Sequence, residues 1–148
     1  FKSNKNSFDL ILIKQTIHLL KISEIKALIK LCKKNLSLKG EIFIFTLDPY
    51  KNEIPTFKKM HEKLQQSLSR DKKIVNLIMN TNKNIIKKFI YKVKIKKQKY
   101  LKMVKDRYIS TLLDFTLNDI QIGCEEIKLK FKNEIKFRDK LKCIIIKK

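Results

Sequence analysis

The spacing of apolar and polar positions changes several times along the chain. Phe8–Ile13 reads FDLILI, apolar except for Asp9. A short Ile/Leu-rich run of this kind is the composition of a strand buried on both faces of a parallel sheet, which predicts a central strand. Lys14–His18 is a polar hinge. From Ser23 onward, Ile25, Leu28, Ile29, Cys32 and Leu36 follow the i, i+3, i+4, i+7 spacing of a helix with one buried face, and Lys26, Lys30, Lys33 and Lys34 take the other side. Ser23 is the expected N-cap, and Gly40 the expected left-handed residue that turns the chain back. Glu41–Leu47, EIFIFTL, reads as a second strand stopped by Pro49. Residues 8–49 are thus expected to form a parallel β-α-β crossover. Such units place ligand sites at the carboxyl ends of their strands, which points at Lys14–His18 and Thr46–Pro49.

The segment Pro55–Lys88 shows no strand pattern. Phe57, Met60, His61, Leu64 and Leu68 make one helical stripe, and Val75, Leu77 and Ile78 begin another after Ser69–Asp71. Residues 50–88 are therefore expected as helical cover. Phe89–Ile95 alternates, with Phe89, Tyr91, Val93 and Ile95 on one face and Ile90, Lys92 and Lys94 on the other, the signature of a half-buried or edge strand. Leu101, Val104, Tyr108 and Leu112 mark a helix. Thr116 with Asp119 has the spacing of a capping box, and Leu117, Ile120, Cys124, Ile127 and Phe131 carry the stripe onward. Gly123, inside that stripe, predicts close backbone packing. A last β-rich run covers Ile135–Lys148.

Composition adds three constraints. The net charge of +22 comes from 36 basic residues, of which only Arg70, Arg107 and Arg138 are arginine. Two readings stand: a phosphate-binding surface, or solvated lysine faces enriched by A/T-rich codons, which Lys, Ile and Asn share. Cys32, Cys124 and Cys143 are odd in number and scattered, which predicts buried thiols in a reducing, cytoplasmic setting. No metal site is expected, because no Cys or His stands at ligand spacing from another. Neither a membrane-spanning run nor a signal-peptide core is present. With two glycines in all, the chain has no room for a phosphate-cradling glycine loop.

FDLILIKQTIHLL, followed by a helix, NLSLKGEIFIF and DP, resembles the second half of a class I S-adenosylmethionine-dependent methyltransferase. In that family the fourth strand carries an FD-apolar run ending in a polar segment and a His, and a turn of Leu-Lys-Pro-Gly-Gly type precedes the fifth strand. Here the turn reads Leu36-Ser37-Leu38-Lys39-Gly40, without the Pro. FIYKVKIKKQKYLKMVKDRYISTLLDFTLNDIQIGCEEI resembles the family's sixth strand and the helices that cap the substrate pocket. EIKFRDKLKCIIIKK resembles its antiparallel last strand. The resemblance covers essentially all of residues 1–148, but only the carboxyl-terminal part of one methyltransferase-like domain, with 89–148 supplying a strand, substrate-cap helices and the last strand. The implied fold is α/β, a Rossmann-like methyltransferase sheet with parallel strands, an antiparallel last strand and added covering helices. The glycine-rich turn after the first strand and the acidic ribose ligand after the second are not in this sequence, so the chain is expected to be part of a longer domain.

The resemblance implies methyl transfer from S-adenosylmethionine to a small-molecule acceptor, incomplete in this chain. It sets Lys14, Gln15, Thr16 and Ile17 beside the methionine part of the cofactor. His18 is the candidate general base, because imidazole is the side-chain type suited to proton transfer near neutral pH; its plainer role is to open the following helix. Asp48 either touches the substrate or closes a turn. Tyr100 and Arg107 are the candidate substrate ligands, Arg107 because a planar fork of donors suits a carboxylate or phosphate. Arg107 serves equally for a salt bridge to Asp106, Asp114 or Asp139, and Tyr100 and Tyr108 for core and rim packing with exposed hydroxyls. Rival readings are a basic nucleic-acid-binding module, an RNA methyltransferase, and a scaffold that has lost its chemistry.

Overall fold

The structure, a computed structural model, describes residues 8–148; the domain range read from the sequence also includes 1–7, which lie outside the described residues. Its elements run β1 (Phe8–Lys14), α1 (Ile22–Asn35), β2 (Leu36–Leu47), α2 (Lys58–Thr81), β3 (Asn84–Lys96), α3 (Lys97–Lys105), α4 (Leu117–Lys130) and β4 (Glu134–Lys147). Single 3-10 turns occupy Ile17–Leu19 and Ser110–Leu112. The strands form one sheet in the order β1-β2-β4-β3. β1 runs parallel to β2, and β4 antiparallel to β2. The chain is therefore α/β with a mixed sheet, and its last strand is antiparallel, as expected.

Two compact units can be described separately. The first comprises the described residues up to Lys51, Arg70–Phe89 and Lys140–Lys148; the second comprises Asn52–Ser69 and Ile90–Asp139. α2, β3 and β4 each contribute to both units. The core of the first unit joins Ile25, Ile29 and Cys32 of α1 to Ile42 and Ile44 of β2, Val75 and Ile78 of α2, and Ile144 and Ile146 of β4. In the second unit Phe57, Met60, Tyr100, Val104, Ile120, Ile127 and Ile135 do the same work. Cys32, Cys124 and Cys143 are free and buried, and burial raises the pKa of each thiol.

Several elements differ from the sequence pattern, each for a local reason. β1 is not central: among the described residues it pairs with β2 alone, and only Ile11 and Ile13 face the core. Leu10 and Leu12, on its other face, are 53 % and 56 % exposed. The N-cap of α1 is Lys21, not Ser23, and its backbone N–H donates to Glu24 Oε2 at 2.6 Å. Gly40 is not left-handed and lies within β2. Leu36 leaves α1 directly in extended conformation, and a Cβ on Gly40 would stand 2.8 Å from the Phe8 carbonyl oxygen. What Gly40 supplies is close approach of β1, at the point where the β1–β2 register shifts. α2 continues through Ser69–Asp71, because that segment contains no Gly or Pro to stop it. β3 begins at Asn84, five residues before the alternation that announced it.

Farther along, α3 stops at Lys105, so Tyr108 and Leu112 are not part of it. Arg107 takes the left-handed conformation, φ 52°. Its N–H donates to the Val104 carbonyl and that of Tyr108 to the Met103 carbonyl, both at 3.1 Å, which is the two-bond Schellman ending of a helix. α4 keeps its expected box: Thr116 Oγ1 accepts from Asp119 N–H at 3.1 Å, and Asp119 Oδ2 accepts from Thr116 N–H at 3.0 Å. Leu117, counted in the stripe of α4, is instead exposed. Gly123 is where packing is closest, with the Phe57 ring only 2.5 Å from where a Cβ would sit.

Candidate active site

The carboxyl end of β1 is set by its register, in which Lys14 lies opposite Phe45. Gln15 adds one further bond, its N–H donating to the Phe45 carbonyl at 2.8 Å. Gln15 then adopts φ 51°, a left-handed conformation that costs a non-glycine residue about 1–2 kcal/mol. This sharp reversal carries the chain into the 3-10 turn Ile17–Leu19, which the Leu19 N–H closes on the Thr16 carbonyl at 2.9 Å. Ile17 points into the core and anchors the turn, while the side chains of Lys14, Gln15 and Thr16 are exposed and that of His18 is half-buried. Four of the five candidate residues thus stand on the open side of one turn, and the fifth holds it down.

The carboxyl end of β2 is closed, not open. Asp48 Oδ1 accepts the Tyr50 N–H at 3.0 Å, a side-chain turn of the usual Asx kind, and lies 3.4 Å from Lys142 Nζ. Lys142, opposite Thr46 on β4, is only 8 % exposed, and its ammonium sits 4.0 Å from the centroid of the Tyr50 ring. Tyr50 in turn donates its hydroxyl to Asn76 Oδ1 of α2 at 2.8 Å. Asp48 therefore has the turn-closing role, with a buried cation as its partner. That cation was not legible: Lys142 stands among many lysines, and nothing in its spacing sets it apart.

Asp71 was also missed, although a signal existed. Met60, Leu64, Leu68, Val75 and Ile78 form one buried stripe on α2, and Asp71 falls on it. Burial raises its pKa, while the charges of His18 and Arg70 lower it. Arg70 donates to the Leu20 carbonyl at 3.0 Å, just past the turn that carries His18.

Tyr100 and Arg107 belong to the second unit. The expected exposed hydroxyl of Tyr100 is corrected: the residue is 2 % exposed, and its hydroxyl donates to the Pro55 carbonyl at 2.6 Å. Burial, helped by Tyr108, drives its pKa up. Tyr108 is exposed as expected of a rim residue. Arg107 makes none of the three salt bridges considered for it; among the described residues its guanidinium donates to the Leu113 carbonyl at 3.1 Å, and Asp114 pairs instead with Lys63 at 2.8 Å. Among the described residues one oxygen of Asp139 is buried without a hydrogen-bond partner, and desolvation raises that carboxyl. The unit also contains a hollow lined by Glu53, Thr56, His61, Gln65 and Lys130, in which Thr56 Oγ1 and His61 Nδ1 lie 3.4 Å apart.

Among the described residues no group of His, Cys, Asp and Glu has the makings of a metal site, and no helix is long and apolar enough to cross a membrane. No family model matches the sequence. No curated protein matches it either. Among solved structures, the chain is similar to phosphoethanolamine N-methyltransferase 2 of Haemonchus contortus, determined with phosphomonomethylethanolamine and S-adenosylhomocysteine. The similarity has a TM-score of 0.41 at 14% identity and covers 100% of this chain. The chain spans about a third of that protein, 35% of its length.

Proposed function

We propose that the chain takes part in S-adenosylmethionine-dependent methyl transfer to a small-molecule acceptor, with the exit of β1 as its reactive side. The observation that carries this reading is the parallel β1–α1–β2 unit whose first strand ends in a left-handed Gln15 three residues before a half-buried His18. Strained turns of this kind collect at sites where backbone geometry serves a ligand. S-adenosylmethionine, when bound, supplies a methyl group on a sulfonium and departs as the neutral thioether. Lys14, Gln15 and Thr16 fit its amino-acid end, with Ile17 fixing the turn beneath them. Neither glycine fits the nucleotide end: Gly40 is closed off by the Phe8 carbonyl and Gly123 by the Phe57 ring. His18 accepts the proton that the acceptor loses as its lone pair takes the methyl group. Arg107 has N–H donors beyond the one given to Leu113, and these suit a carboxylate or phosphate.

The test is methyl transfer by a chain containing these residues. His18→Asn is expected to lower kcat about 100-fold or more with KM little changed, the size usual for a general base. An unchanged kcat overturns the base role. Calorimetric titration of residues 1–148 alone should show weak binding of S-adenosylmethionine, since nothing here holds its nucleotide end; tight binding overturns that division. The +22 charge favours one other reading, a nucleic-acid partner, which predicts binding that falls steeply with salt. Weak binding at physiological salt removes it.

A further inference from the structure

What a hollow can bind depends on which of its polar groups the fold has already used. The segment 52–56, which leads into α2, is tied down at three points. Asn52 Oδ1 accepts the Ile54 N–H at 2.9 Å, and the Tyr100 hydroxyl donates to the Pro55 carbonyl at 2.6 Å. Between them Glu53 takes the Arg138 guanidinium in a fork, Nε to Oε2 at 3.0 Å and Nη2 to Oε1 at 2.8 Å. Against this fixed wall opens a hollow of about 260 Å³, whose lining lies wholly within the second unit.

The negative groups beside the hollow are partnered. Glu53, the carboxylate in the lining, is held by Arg138. The end carbonyls of α4, the negative pole of that helix, accept from Lys97 Nζ, at 3.0 Å for Phe131 and 3.4 Å for Lys128. An adjoining hollow contains Glu62 and Glu126, of which Glu126 accepts the Lys58 N–H at 2.8 Å. The groups left over are donors. Among the described residues Lys130 and Lys136 have no carboxylate partner, and Lys130 Nζ lies 5.7 Å from the centroid of the Phe131 ring in the same wall. His61 and Gln65 stand one turn apart on α2. Thr56 Oγ1 is 3.4 Å from His61 Nδ1, which leaves Nε2 of the imidazole for a ligand.

We propose that this hollow binds a compact tetrahedral oxyanion, a phosphate or sulfate group, with Lys130 and Lys136 supplying charge and His61 and Gln65 supplying N–H donors. Donors borne on three elements, two of them point-charge ammonium groups, match an anion whose oxygens point several ways. A planar carboxylate is better matched by the flat fork of an arginine, and Arg138 is engaged by Glu53. At about 260 Å³ the hollow is smaller than the roughly 300–1,000 Å³ of drug-sized pockets, so its ligand is small. The site belongs to the second unit and not with Lys14–His18, so it stands or falls apart from methyl transfer.

The intact chain has two histidines, His18 and His61, whose imidazole signals report binding by NMR. With pH and ionic strength fixed, added inorganic phosphate is expected to move His61 to saturation and leave His18 in place. Lys130→Ala with Lys136→Ala should weaken the fitted affinity about 10-fold or more, the size expected on losing charge-assisted contacts. Both lysines are exposed, so the fold tolerates their loss. Lys30→Ala with Lys34→Ala removes the same charge from the solvent face of α1 and should leave the affinity unchanged. Acetate should bind at least about 10-fold more weakly than phosphate. Sulfate that displaces phosphate extends the ligand to either group, and sulfate that does not confines it to phosphate. Affinity lost equally in the two double variants is attraction by net charge alone and overturns the proposal. So does a His61 signal that fails to saturate or moves together with that of His18, and so does acetate binding as tightly as phosphate.

Discussion

Gly123 and Lys142 show how one position can be forced by its neighbours. The Phe57 ring fills the space in front of Gly123, and Phe57 is a buried member of the second unit's core with little room to retreat. Gly123→Ala is therefore expected to destabilise the chain by about 1–3 kcal/mol, the usual cost of overpacking, in urea denaturation. Lys142 and Asp48 are both buried at 3.4 Å, so removing one strands the other. Lys142→Met should cost about 3–5 kcal/mol, while the double change with Asp48→Asn should recover most of it, since Asn keeps an oxygen for the Tyr50 N–H. A double-mutant cycle on thermal unfolding measures the difference. Asp71 works in the opposite direction. Its folded pKa lies above the ordinary 3.8, so the folded state binds more protons and stability is lost as pH rises through that value. Asp71→Asn should therefore melt at a higher temperature than the unaltered chain at neutral pH, and the gap should close toward pH 4.

At the scale of elements, the capping box of α4 is the most local device and was the most legible. Thr116→Ala should cost about 1 kcal/mol, read by chemical denaturation. The hydrogen bond from Lys59, then those from Thr116, hold the Asp119 carboxyl down at about 2 against an ordinary 3.8. Its contribution is thus present above 3.8 and lost as pH falls toward 2; Asp119→Asn should flatten the stability profile across that window. The crossover unit was legible for the same reason, because its apolar spacing and lysine-covered helix face are properties of short segments. What escaped the pattern depends on distant residues. Gly40 reads as a turn glycine, and only the approach of Phe8 shows that it serves a strand. Ser69–Asp71 looked like a break because the stripe paused, whereas the helix runs on with a carboxylate in the apolar row. Arg107 reads as a ligand or an ion-pair partner; its left-handed backbone, which ends α3, leaves no mark on the sequence. The strand end alone points at Lys14–His18, whereas the buried carboxylate of Asp71 shows in the sequence only as a gap in an apolar stripe.

For the molecule as a whole, charge is the dominant surface property. At +22 the folded chain repels itself more strongly than the expanded one, and salt relieves that repulsion. The screening length falls from about 30 Å to about 3 Å between roughly 0.01 M and 1 M salt, so the melting temperature should rise across that range. A melting temperature that falls with salt would mean that favourable ion pairs outweigh the self-repulsion. The three cysteines add a kinetic consequence. Cys32 and Cys143 lie in the first unit and Cys124 in the second, and burial disfavours the thiolate of each. A thiol reagent can reach each sulfur only when the surrounding packing opens, so the chain carries internal timers for both units. One shared labelling rate would describe a single cooperative opening, and a faster rate at Cys124 would describe a second unit that breathes on its own.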